Sequence, residues 1–265
     1  MSFVKYKTNN LFEIFFMPKL SAVIITFNEE RNIARCLDSL AGVADEIVVI
    51  DSFSTDMTEK ICRDRGARFI QNTFAGHIEQ KNFALTQAVF PHVLSLDADE
   101  ALSENLRAAI LALKKDWRCD GYAMNRLNNY CGQWIRHCGW YPDRKVRLFD
   151  TRKARWGGTN PHDRVELQTG ATQGFLAGDL LHYSYYTPEE HLARVRQYGD
   201  IGAKALFEQG QKASLAQVFL SPLFKFLRNY ILKRGFLDGQ AGWRICYGAA
   251  LETAQKYGRL RAMHR

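Results

Sequence analysis

Short apolar runs at residues 20–26, 46–50 and 93–96, with a weaker one at 68–71, alternate with segments of helical pattern along the first hundred residues. The strong runs leave no alternate position free for solvent, so each strand is covered on both faces. That condition is met by a mostly parallel sheet with helices on either side. Between the runs, Asn28 with Glu29, Glu30 and Asn32 opens a helix to about residue 40, its acidic residues placed to complement the dipole. Ser54-Thr55-Asp56 starts a second helix that stops at Gly66. A third is expected over 79–89, and a fourth after Ser103, which with Glu104 forms a capped start.

In sheets of this kind ligands collect beyond the carboxyl ends of the strands. Three runs end there in polar residues: Thr26-Phe27-Asn28-Glu29, Asp51-Ser52-Phe53-Ser54-Thr55-Asp56, and Asp97-Ala98-Asp99-Glu100. In the last, Leu94-Ser95-Leu96 delivers two carboxylates one residue apart. A hard cation such as Mg²⁺ or Mn²⁺ takes oxygen ligands and keeps waters and substrate phosphates in its shell, so one or two carboxylates on a rigid strand suffice. The implied substrate is a diphosphate. Asp-x-Asp alone is weak, because surface turns are rich in Asp; its weight comes from the other two strand ends.

The chain has 265 residues and is 46% hydrophobic, enough to bury a full core in one domain with an appendage. Residues 1–16 show neither cap nor period and read as a disordered or non-native extension, with Met17 a candidate start. Residues 17–210 read as the catalytic domain, 17–117 forming one half and 118–187 another, richer in Tyr, Trp, Asn and Gly. Strand-like pieces fall at 121–127, 145–149 and 164–167. Helices are expected over 188–209, 215–233 and 236–257, the last interrupted by glycines. Residues 211–265 hold ten Lys and Arg against Asp238 and Glu252, which accounts for the whole net charge of +8. The remainder is balanced, which argues against a nucleic-acid groove and puts the basic surface in the C-terminal region. The six cysteines match no common zinc spacing and read as reduced. With no cleavable signal and no long uncharged apolar run, the expected compartment is the cytoplasm.

The order and spacing of the three strand ends, with Gln80-Lys81-Asn82 between the second and third, resemble the family 2 glycosyltransferases of the GT-A fold over residues 20–105. The resemblance implies an α/β, Rossmann-like sheet flanked by helices, with a helical C-terminal extension. It implies that Asp51 accepts a hydrogen bond from uracil, that Thr26, Phe27 and Glu29 lie under the base and ribose, and that Lys81 sits at the nucleotide edge. Asp97 would face the ribose and the outer shell of the metal, and Asp99 would bind the metal directly. The plainer alternatives are a turn role for Asp51, a cap for Asp56, a solvated helix position for Lys81 and a cap for Glu100.

Inverting members of such a family need a carboxylate on the opposite face of the sugar to take the proton of the incoming hydroxyl. Asp163 is the candidate, with Glu166 and Asp143 as alternatives. The stretch from Trp156 to Asp163 resembles the His-Glu segment of bacterial lipopolysaccharide-core relatives, with Asp in place of Glu, which sets the carboxylate back by about 1.5 Å. Asp163 could equally pair with Arg164 in a turn, and His162 could bind metal or close a loop. Arg144, Lys145 and Arg147 could meet phosphates; Trp134, Trp140 and Tyr141 could stack on a sugar. In the tail, Phe219, Leu223, Phe226, Leu227, Tyr230 and Ile231 share one helical face with Lys225 and Arg228 opposite, and Gly235-Phe236-Leu237-Asp238-Gly239 resembles a stretch in the same core enzymes.

The resemblance therefore implies an inverting, Mg²⁺- or Mn²⁺-dependent transferase. It would move a hexose such as glucose from a UDP-sugar to a hydroxyl of a lipopolysaccharide or lipooligosaccharide core glycolipid (lipid A-core). The protein would sit peripherally on the anionic inner face of the cytoplasmic membrane. Transfer to a polyprenyl phosphate, or a non-catalytic membrane scaffold that keeps the nucleotide pocket, are the alternatives. A sugar nucleotidyltransferase would need a Gly-rich loop after its first strand, and residues 26–30 contain no glycine.

Overall fold

The computed structural model describes residues 18–159 and 162–264. The expectation for residues 1–16 falls outside the described residues, as does the side chain of His162. The first half alternates as the apolar runs require: β1 (Leu20–Thr26), α1 (Ile33–Leu40), β2 (Glu46–Asp51), α2 (Thr58–Asp64), β3 (Arg68–Gln71), α3 (His77–Thr86) and β4 (His92–Asp97). There follow β5 (Glu100–Leu102), α4 (Glu104–Leu113), β6 (Gly121–Tyr130), β7 (Gln133–Ile135), β8 (Asp143–Asp150), the hairpin β9 (Ala154–Thr159) and β10 (His162–Leu167), and β11 (Gln173–Tyr185). The chain closes with α5 (Pro188–Glu208), α6 (Leu215–Leu227) and α7 (Gly239–Met263).

The main sheet runs β3-β2-β1-β4-β8-β6-β11-β5, with β7 added to β6. Its first four strands are parallel. Beyond them β8 is antiparallel to both β4 and β6, while β6 and β11 run parallel. This is the mixed α/β architecture the resemblance implies. Successive residues of β1 face opposite sides: Ala22 and Ile24 pack with Ile33, Leu37 and Leu40 of α1, and Val23 packs with Val48, Val93 and Ala84 of α3. Both faces are buried, which is why the run tolerates no polar alternation. At α4, Ser103 Oγ accepts from the amide of Leu106 at 3.3 Å, the cap expected there.

Three expectations need correction. The long β11 was not anticipated. The helix expected over 215–233 ends at Leu227 and passes into a π-helical turn, Arg228–Leu232. The glycines that were read as interrupting the last helix do not: after a short 3₁₀ turn at Gly235–Asp238, α7 runs unbroken for 25 residues. They mark close approach instead. A Cβ on Gly242 would fall 1.9 Å from the carbonyl oxygen of Gly235, and one on Gly248 would fall 2.6 Å from the His191 ring. Among the described residues no helix is long and apolar enough to cross a membrane, and the six cysteines are free thiols.

Candidate active site

The register of the parallel strands sets Thr26 beside Asp51, and Ile25 beside Asp97, so the three polar strand ends share one edge. They open on a cleft of about 1340 Å³. Thr26, Phe27, Glu29, Lys81, Asp97 and Asp99 line it from residues 17–117; Asp143 and Asp163 line it from residues 118–187. Asp51 and Glu166 are not on that lining. Asp51 is fully buried, and its two oxygens accept from the amide and the hydroxyl of Ser54 at 2.8 and 2.5 Å. The side chain holds the β2–α2 loop while its neighbour Ser52 meets the cleft. Glu166 pairs with Arg164 at 2.9 Å.

The β1–α1 and β2–α2 loops are laced together by short polar side chains. Asn28, at φ 53°, donates its amide to Ser54 Oγ and accepts from the amide of Thr55, each at 2.8 Å. Asp56 accepts from the amides of Thr58 and Glu30 at 3.0 and 3.1 Å, the cap-like part expected of it. Glu29 lies within this lattice beside the cleft. Burial pushes its carboxyl up to about 7, with Asp99, Asp56 and Asp97 adding to the rise against a hydrogen bond from Asn32.

At the centre lie two buried cations. Lys81 Nζ stands 3.0 Å from Asp97 Oδ1 and 2.7 Å from Asp163 Oδ2, so one ammonium joins the end of β4 to the hairpin of the second half. Arg147 donates to Asp97 at 2.9 Å and to Glu100 at 2.7 Å. Burial would raise the Asp97 carboxyl, but Lys81 and Arg147 overcome this and hold it far below the usual range. Glu100 is not an exposed cap: it is fully buried and accepts from the amide of Asp97 at 3.0 Å, which fixes the turn between the two aspartates. Both cations lie by the face of Trp156, at 4.3 and 5.1 Å from its centroid. Asn82 positions that residue by bonding both its backbone carbonyl and its amide, at 2.9 and 3.1 Å. Thus Gln80-Lys81-Asn82 places its middle residue in the site and its third on the opposite wall. Among the described residues, Arg147 Nε and Nη1 and Thr26 Oγ1 are buried without hydrogen-bond partners; such a group costs about 1–3 kcal/mol if neutral and more if charged.

Asp99 is set differently. Its carboxylate meets His182 Nε2 at 3.1 Å, and His182 Nδ1 meets Asn128 Oδ1 at 2.6 Å. His182 was missed in the sequence, although Leu180-Leu181-His182 carries the same signature as Leu96-Asp97, a polar group delivered by an apolar strand. Among the described residues no three His, Cys, Asp or Glu side chains form a ready metal cluster. A carboxylate next to an imidazole, completed by phosphate oxygens and water, is nevertheless a donor set suited to Mn²⁺ or Mg²⁺, so the residues fit the ion. Arg144, Lys145 and Trp140 line the cleft, joined by Arg126 and Arg194. Trp134 packs edge-on against Tyr183, and Tyr141 donates its hydroxyl to Asp179 at 2.9 Å.

A family model, Glycosyl transferase family 2, matches residues 21–171. An uncharacterized glycosyltransferase of Rickettsia typhi is 31% identical over 237 residues, 86% of this chain and 81% of the relative. The lipopolysaccharide core biosynthesis glycosyltransferase LpsC of Rhizobium meliloti is 28% identical over 262 residues, covering 91% and 94%. Among solved structures, glucosyl-3-phosphoglycerate synthase of Mycobacterium tuberculosis, crystallised with Mn²⁺, UDP and glucosyl-3-phosphoglycerate, matches 42% of this chain and 44% of its own at 22% identity and a TM-score of 0.36.

Proposed function

The chain belongs to glycosyl transferase family 2, and from that premise we propose that it transfers a hexose, glucose in the first instance, from a UDP-sugar to a hydroxyl of a lipopolysaccharide-core glycolipid, with inversion at the sugar. The observation that carries this reading is the convergence of Asp97, Asp99 and Asp163 on one cleft, with Lys81 between the first and last. The likeness to LpsC supports the glycolipid acceptor.

In this reading residues 17–117 bind the nucleotide sugar and 118–187 the acceptor. Phe27 and Ser52, which line the cleft, would lie under the base, and Lys81 and Arg147 would offer cationic charge to the diphosphate. Asp99 and His182 would hold Mg²⁺ or Mn²⁺, with Asp97 behind them; the ion, when bound, offsets charge on the departing nucleoside diphosphate. Asp163 reaches the cleft from the other wall. One of its oxygens accepts from Lys81, and a carboxylate has lone pairs left to take the proton of the attacking hydroxyl. Asp143 is a weaker candidate because Arg126 and Lys145 both claim it, at 2.8 and 3.2 Å. The acceptor is presented at the inner face of the cytoplasmic membrane, on which the protein sits peripherally.

The test is UDP release with lipid acceptor extracted from cells lacking the protein. Asp163→Asn is expected to lose transfer by about 10²–10⁴-fold while retaining UDP-sugar binding by calorimetry, and Asp143→Asn to keep most activity. Full transfer by Asp163→Asn would remove it as the base.

A further inference from the structure

Helix α6 buries none of its residues. Phe219, Leu220, Leu223 and Phe224 are each more than half exposed. The sequence pattern placed Phe219 and Leu223 on one stripe; Leu220 and Phe224, toward the edge that Leu227 and Ile231 mark, are exposed just as far. Helix α6 lies along α7, where Leu220 and Phe224 border a groove with Thr253, Lys256 and Tyr257, while Phe226 and, past the end of α6, Tyr230 pack on the cluster of Tyr130, Ile135 and Cys138. Beyond α6 the apolar surface continues through Ile231 and Leu232 of the π-helical turn and Phe236 and Leu237 of the 3₁₀ turn. A soluble chain does not ordinarily leave so many large apolar side chains together in water.

The charge around this ridge defines what can cover it. Lys212, Arg228 and Arg234 are exposed beside it. Of the two acids in the region, Glu252 stands on α7 near Lys225 and Lys256, and Asp238 is buried and turned inward: its carboxylate accepts from the amides of His137 and Arg136 at 2.8 and 3.4 Å and lies 2.8 Å from His137 Nδ1. A second copy of the chain would bring two cationic rims together. An apolar ridge with a cationic rim is complementary to an anionic bilayer, whose head groups take the charges and whose acyl boundary takes the side chains. We infer that α6 and the two turns after it dock on the surface of an anionic phospholipid bilayer, with Phe219, Leu220, Leu223, Phe224, Leu232 and Leu237 entering the acyl boundary.

The link between the two turns holds the chain that leads into the cleft. The carbonyl of Lys233 accepts from the amide of Cys138 at 3.2 Å, and the residues that follow, Gly139, Trp140 and Pro142, line the acceptor side. Docking would thus couple that wall to the bilayer that carries the proposed acceptor. The inference rests on the proposed peripheral position but not on the transfer reaction, since docking is measured with neither donor nor acceptor present.

The test is co-sedimentation of the full chain with vesicles of phosphatidylglycerol and phosphatidylcholine in equal parts, against phosphatidylcholine alone. The parent is expected to sediment with the mixed vesicles only. The double variant Leu220→Ser with Phe224→Ser should weaken binding by about tenfold or more. Arg228→Gln with Arg234→Gln should do so through the charge, and added salt should mimic it. Because these side chains are exposed, thermal unfolding of the variants should match the parent, which separates lost docking from lost fold. Failure to sediment with anionic vesicles, or binding that the serine variant leaves intact, overturns the inference. So does a dimer in solution that the serine variant converts to monomer.

Discussion

Replacing Lys81 by methionine keeps the volume of the side chain and removes its charge. Lys81 is 3% exposed, and its ammonium is shared by Asp97 and Asp163 at 3.0 and 2.7 Å. Losing one partner of a buried ion pair costs about 3–5 kcal/mol, because a charge is left without compensation. Here two carboxylates lose it, but Arg147 still serves Asp97, so the lower part of that range, about 3 kcal/mol, is expected at neutral pH. For a chain of this size that is a fall in Tm of roughly 6–12 °C. The pH dependence has a definite sign. Asp97 is held below its unfolded value by Lys81 and Arg147 despite burial, so its contribution is present above the unfolded carboxylate pKa of about 4 and is lost as pH falls through the lower folded value. In the variant Asp97 protonates more readily, so the gap from the parent should narrow as pH falls from 7 toward the carboxylate range. The assay is urea unfolding followed by tryptophan fluorescence at several pH values. A gap below about 1 kcal/mol at neutral pH, the level of an exposed pair, or one that widens with acid, would refute the argument that this ammonium is a buried bridge.

Two more outcomes follow from the site. Glu29 has its pKa raised to about 7 chiefly by burial, so the protein should lose stability as pH rises from the unfolded value through 7; Glu29→Gln should abolish that slope and be the more stable form at pH 8, by thermal unfolding without metal. His182→Ala should weaken Mn²⁺ affinity, read by calorimetry with UDP, by about 10–100-fold, and Asp99→Asn by more; unchanged affinity in both would remove these residues from the ion.

The strand ends were legible because apolar runs covered on both faces admit few other readings, and Ser103 because a cap is a local signal. What a strand end does with its side chain is not local. Asp51 turns into its own loop because Ser54, three residues on, supplies both an amide and a hydroxyl, and nothing in the pattern separates that from an aspartate facing a ligand. Strand β11 escaped because its register shifts between Phe175 and Asp179, where Gly178 at φ 103° lets it lie against the backbone of Leu106; the period of two is broken at that point. With the strand went His182. The glycines of α7 misled for a related reason, since intrinsic propensity counts them against a helix while packing on the 3₁₀ turn and on α5 requires them.

Asp238 reaches out of the C-terminal region to grip the backbone at Arg136 and His137, two residues before Gly139 and Trp140 enter the cleft. Residues 211–265 are thus masonry in the cleft wall as well as the surface proposed to meet the bilayer. Cutting the chain before them would unfasten that wall too, and a truncated protein that fails in both binding and turnover would say nothing about which was lost first.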